Sequence, residues 1–223
     1  MDMKILIADD HPLFRDAMQG VVRRAVADSE IVICNDFSSA EQAIVNDQDF
    51  DLALLDLHMP DGDGYFGLIH LRNHFPTLPV VIVSGTDDPA VVKRCLGFGA
   101  SGFVPKTLPP DEMIKAIGLI LDGEIFLPEN LKQAIDKIDE EDRAFAEKVA
   151  TLTQQQYRVL CELNEGRLNK QIAYDLNISE ATVKAHVTAI FKKLGVINRT
   201  QAVIAAQKLQ FTSHLDDSKL QSD

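Results

Sequence analysis

Five short runs rich in β-branched residues recur along the first 125 or so positions: KILIAD, EIVICNDF, DLALLD, PVVIVSG and SGFVPK, each separated from the next by a stretch of helical period. Apolar runs of this kind need cover on both faces, and a parallel sheet with crossover helices supplies it. In the first intervening segment Phe14, Ala17, Met18, Val21, Val22 and Ala25 repeat at helical spacing, and Pro12 suits a first helical turn. The expected fold is α/β, an open, doubly wound five-stranded parallel sheet, which binds ligands beyond the carboxyl ends of its strands where the strand order reverses.

The chain continues well past that sheet, and 223 residues accommodate two domains with a core each. Charge separates the halves. Residues 1–127 hold 9 Lys and Arg against 20 Asp and Glu, whereas residues 151–210 hold 8 against 4. Only the second segment suits nucleic acid. The opening MDMKILIADD lacks a basic segment followed by an apolar export core, and no uninterrupted apolar run reaches the roughly 18 residues of a membrane helix, so the expected location is the cytoplasm. Cys34, Cys95 and Cys161 match no metal-ligand spacing and read as small hydrophobes.

At the strand ends stand Asp9 and Asp10 after the first, Asp56 closing the third, Ser84 closing the fourth and Lys106 just after the fifth. Like charges about 4 Å apart repel by roughly 4 kcal/mol at an effective dielectric near 20, so gathered carboxylates call for a cation, a proton or solvent between them. Taken singly, each aspartate could serve only as a helix cap. Together they offer hard oxygens suited to Mg²⁺, which takes one or two carboxylates plus phosphate and keeps several waters.

IADDHP, LLDLHMPDGDG, VIVSGTDD and GFVPKT together resemble the receiver domain of bacterial two-component response regulators, with a flavodoxin-like fold, over residues 1–125. The resemblance implies that Asp56 accepts a phosphoryl group from a histidine of a sensor histidine kinase. It implies further that Asp9, Asp10, Asp56 and the backbone carbonyl of His58 hold Mg²⁺, and that Ser84 and Lys106 bind phosphoryl oxygens. Ser84 and Phe103 are the implied switch pair, the aromatic ring filling the space that Ser84 leaves. The side chains of His11 and His58 read as loop groups near the site and not as metal ligands, while Pro60, Gly62 and Gly64 shape the loop after Asp56.

Residues 126–148 read as a partly helical linker, with Leu131, Ile135, Ile138, Phe145 and Val149 in a four-three alternation to which Asp142 is the exception. Thr153 and Gln156 then form a capping box ahead of Val159, Leu160 and Leu163, and Gly166 ends that helix. Two further helical patterns join at LNIS, where Asn177 tolerates a left-handed turn and Ser179 caps the second pattern. Val183, Val187, Ile190 and Leu194 form its buried stripe. Charge pattern alone fits a small solvated bundle as well as a helix-turn-helix.

LTQQQYRVL, NKQIAYDLNIS and TVKAHVTAIFKKL resemble the LuxR-type helix-turn-helix DNA-binding domain, a small all-α unit over residues 149–211, followed by a polar tail at 212–223. Receiver plus this domain resembles the NarL/FixJ subfamily. By position Lys184, Ala185 and Thr188 would face base edges, and Lys170, Thr182 and Lys193 would approach phosphates. Gln156 stands where the family often has Glu, and Thr188 where a basic residue is common. The helix after Asn198 is the one with which the family pairs two such domains.

The expectation is a transcription regulator and not an enzyme, whose phosphorylation drives homodimerisation on promoter DNA, with RNA polymerase admitted as a further partner. Opposite charges in the two halves lead us to expect that the unphosphorylated receiver covers the basic domain. Two alternatives stand beside this: a receiver that serves only for assembly, and an aspartyl-phosphate phosphotransferase.

Overall fold

The protein is described by a computed structural model covering residues 3–59, 62, 64–132 and 140–207. Pro60, Ile135, Ile138 and the polar tail lie outside the described residues. Strands β1 (Lys4–Ala8), β2 (Glu30–Cys34), β3 (Leu52–Asp56), β4 (Val80–Ser84) and β5 (Gly102–Pro105) form one parallel sheet in the order β2-β1-β3-β4-β5. The five runs read from the sequence are these five strands.

Each strand alternates its side chains between two cores. Ile5, Ile7, Leu52, Leu54, Val81, Val83 and Val104 pack on α1 (Pro12–Ala25) and α5 (Pro110–Leu121). Leu6, Ala8, Ala53, Leu55, Ile82 and Phe103 face the other way, toward α2 (Phe37–Asn46), α3 (Phe66–His74) and α4 (Pro89–Gly97). All five residues of β3 and of β4 are buried, as their central position requires. Pro12 does open α1, whose Met18, Val21 and Val22 are buried while Ala17 is exposed. Cys34 and Cys95 are buried and Cys161 is half-buried, and none of the three is in a disulfide.

After a short α6 (Glu129–Lys132) come α7 (Glu140–Ala150), α8 (Gln154–Asn164), α9 (Asn169–Asp175), α10 (Glu180–Leu194) and α11 (Arg199–Gln207). Local chemistry sets their limits. Thr153 Oγ1 accepts the Gln156 N–H at 3.2 Å and Gln156 Oε1 accepts the Thr153 N–H at 3.1 Å, which closes the capping box at α8. Asn177 takes φ 52° in the turn between α9 and α10, Ser179 Oγ accepts the Thr182 N–H at 3.0 Å, and Gly195 ends α10 at φ 71°. Val183, Ile190 and Leu194 form the buried stripe of α10, with Val187 half-buried. No helix of the described residues is long and apolar enough to cross a membrane.

Candidate functional site

The strand order reverses between β1 and β3, and the register sets Ala8 beside Leu55, so Asp9 and Asp56 leave adjacent strands at one level. Both carboxylates are buried, at 2% exposure each. Lys106 reaches them from the end of β5. Its backbone N–H donates to the Ser84 carbonyl at 2.7 Å, and its Nζ lies 2.8 Å from Asp56 Oδ2 and 2.7 Å from Asp9 Oδ2, above the Phe14 ring. Asp9 Oδ1 accepts the His11 N–H at 2.8 Å, and Arg15 Nη1 donates to the Asp9 carbonyl at 2.7 Å.

One ammonium for two buried carboxylates leaves the site electron-rich. Burial pushes the Asp56 carboxyl above its usual range, more strongly than Lys106 pulls it down, and Asp9 pushes the same way as burial. Burial also works against the charged Lys106, yet its bonds to Asp56 and Asp9 hold its pKa above the ordinary lysine value. One buried oxygen remains short of a partner: Asp56 Oδ1 lacks a hydrogen-bond donor, whereas Asp9 Oδ2 has the Lys106 ammonium 2.7 Å away.

Ligand atoms of Asp9, Asp10, His11 and Asp56 all lie within 4.8 Å of one another. Hard, buried oxygens of this kind, one of them short of a partner, fit a hard divalent cation. Asp10 lies on the solvent side of the group, and His58, two residues after Asp56, is exposed. Ser84 is fully buried, with its Oγ 3.4 Å from the Thr86 N–H. Phe103 is also fully buried and faces the same side of the sheet as Ile82. Sequence reasoning assigned Asp9, Asp10, Asp56, Ser84 and Lys106 to one rim. It missed the Phe14 ring under Lys106, for which a helix-core pattern carries no signal, and the turn of the His11 ring toward the acids.

The second candidate surface lies on α9 and α10. Lys170, Thr182, Lys184, Ala185 and Thr188 are all exposed. Lys184 also pairs with Glu180 at 3.2 Å, and Thr188 returns its hydroxyl to the Lys184 carbonyl at 3.0 Å. Lys193 departs from expectation. Its ammonium turns into the domain, onto the Thr151 carbonyl and Gln156 Oε1 at 2.7 Å, because two acceptors at the start of α8 lie within its reach. In this structure its ammonium is engaged within the domain.

Residues 5–118 match the response regulator receiver domain, and residues 150–206 match the bacterial regulatory proteins of the luxR family. The chain is 46% identical over 217 residues to the glycerol metabolism activator of Pseudomonas putida, covering 95% of this chain and 98% of that one. The chain belongs to the DNA-binding response regulators. The nitrate/nitrite response regulator NarL of Escherichia coli is 32% identical to it over 203 residues, which is 90% of this chain and 93% of NarL. RcsB of Salmonella enterica serovar Typhimurium, solved on promoter rprA with the phosphomimetic BeF3-, superposes with TM-score 0.54 at 25% identity, covering 94% of this chain and all of that one. The regulator is therefore of the NarL type, as its motifs imply.

How the regulator's two domains meet differs from the expected electrostatic cover. Tyr157 of α8 stacks on Phe66 of α3 with ring centroids 3.9 Å apart and planes 9° from parallel, and Phe37 meets the edge of Phe66. Gln154 Nε2 donates to Ser38 Oγ at 2.7 Å, and α7 lies against α3 and α4. One apolar core runs from the sheet through this contact into α8 and α10. The contact uses the α7–α8 side of the DNA-binding domain, so the receiver leaves the outward face of α10 uncovered.

Proposed function

We propose that this regulator is switched by transfer of a phosphoryl group from the histidine of a sensor kinase to Asp56. The observation that carries the reading is the Lys106 ammonium held between two buried carboxylates, 2.8 Å from Asp56 Oδ2, while Asp56 Oδ1 lacks a donor. Asp9, Asp10, Asp56 and the His58 carbonyl would hold Mg²⁺, which supplies neutralisation of charge on the transferring oxygens. Asp56 is the nucleophile, fixed by its short stem at the end of β3. Lys106 balances negative charge from the β5 side, and Ser84 offers its hydroxyl to a phosphoryl oxygen. Phe103 already points inward, so the switch step that remains is the movement of Ser84. The mixture of buried carboxylates and one lysine favours this reading over a receiver that serves only for assembly.

Because Lys184, Ala185 and Thr188 are open to solvent, phosphorylation acts on DNA affinity through pairing of two copies and not through unmasking. Two linked half-site contacts gain affinity by effective concentration. Lys170 and Thr182 would add phosphate contacts, which makes binding steeply salt-dependent. Activation, as opposed to repression, is carried over from the Pseudomonas relative, which is named an activator of glycerol metabolism.

The test incubates the protein with acetyl phosphate and Mg²⁺ and follows intact mass. Wild type gains one phosphoryl group, forms dimers and shifts promoter DNA at lower concentration, whereas Asp56→Asn does none of these. Phosphoryl uptake by Asp56→Asn equal to wild type would overturn the assignment.

A further inference from the structure

His11 is the one group of the acidic rim with no part in the reading above. It occupies the residue before α1, where a side chain often caps the helix, yet its ring makes no capping bond. Instead Nδ1 turns back to lie 2.7 Å from Asp10 Oδ1 and 3.4 Å from Asp9 Oδ1, with the side chain 64% exposed on the open side of the cluster. Ligands about 2.1 Å from one ion stand roughly 3 to 4.2 Å apart. The ligand atoms of Asp9, Asp10, His11 and Asp56 lie within 4.8 Å of one another, so a small rotation of an exposed ring brings a nitrogen into the set. Asp56, whose Oδ1 is buried and without a hydrogen-bond partner, belongs to the same set.

We propose that His11 is a metal ligand which gives this site a preference for divalent transition ions over Mg²⁺. The inference rests on the reading of the rim as a cation site and adds a nitrogen donor to it. Carboxylate oxygens suit Mg²⁺ and Mn²⁺ alike, whereas an imidazole favours ions later in the first-row series and adds little for Mg²⁺. Deleting the ring therefore changes the ratio of two affinities. An ordinary hydrogen bond from His11 to Asp10 would instead change both affinities together.

Calorimetric titration of the metal-free full-length protein with MgCl2 and with CoCl2 tests this, with the visible absorption of bound Co²⁺ as a second readout. The variants are His11→Ala, His11→Gln, which keeps a hydrogen-bonding group near Asp10, and Asp56→Asn. Wild type should bind Co²⁺ more tightly than Mg²⁺. Both His11 variants should lose about tenfold in Co²⁺ affinity and shift the Co²⁺ spectrum, with the Mg²⁺ constant within about twofold of wild type. An unchanged Co²⁺ to Mg²⁺ ratio in both variants overturns the inference while leaving the cation site intact. If neither ion binds wild type, or if Asp56→Asn binds both as wild type does, the reading of the rim itself fails.

Discussion

Asp56 is held in a site that works against its charge. Its folded pKa is raised, chiefly by burial, so between the ordinary carboxylate value of 3.8 and the raised one the folded protein keeps a proton that the unfolded chain has lost. Stability attributable to this group therefore falls as pH rises through that window and is regained on acidification. Asp56→Asn removes the buried charge and leaves Lys106 its partner Asp9, so the variant should be more stable than metal-free wild type at about pH 7, with the gap closing toward about pH 4. Urea unfolding of both proteins across that range checks it; a gap independent of pH would contradict the argument. At this scale the sequence was legible wherever a residue type had few other reasons to stand at a strand end, as with Asp9, Asp56 and Lys106. It did not foresee where the His11 ring, the Lys193 ammonium and the Phe14 ring come to lie, because ring orientation, the reach of a lysine and the underside of an ammonium depend on neighbours distant in the chain.

Element by element, the strands and the ends of the helices followed from local chemistry. The capping box at Thr153, the left-handed Asn177 and the serine cap of α10 are all settled within four residues of chain, which is why they could be read directly. Replacing Thr153 by Ala should lower stability by about 1 kcal/mol in thermal or chemical unfolding. Packing between elements could not be read in that way. Gly62 looks like a turn glycine in the sequence, yet a Cβ there would stand 2.5 Å from Phe37 Cβ, a fully buried residue of α2. Gly62→Ala should destabilise by about 1–3 kcal/mol, because the loop after Asp56 or the core around Phe37 must shift. Gly20, exposed within α1 with nothing within 4 Å of its added Cβ, is the control, and Gly20→Ala should stabilise by about 0.5–1 kcal/mol. Equal effects of the two substitutions in urea titrations would show that crowding at Phe37 is not the cause.

In the whole molecule the two domains share a core, and Tyr157 belongs to it at the contact between them, 3% exposed against Phe66. Net charges of opposite sign drew attention to a long-range attraction, but in water such attraction is screened within about 10 Å at 0.1 M salt, whereas stacked rings act at contact. That is why the charge pattern separated two domains but did not foresee which of their sides meet. Tyr157→Ala should loosen the docking of the domains, since it removes the stacked ring and leaves the packing of α7 on α3 and α4 with the Gln154–Ser38 hydrogen bond. Small-angle scattering should report a larger radius of gyration, and thermal unfolding should split into two transitions. DNA affinity of the unphosphorylated variant should change by less than about threefold, below about 0.7 kcal/mol, because the outward face of α10 is already open. A tenfold gain in affinity on undocking would mean that the receiver does screen that face, and pairing of two copies would then no longer suffice to account for control by phosphate.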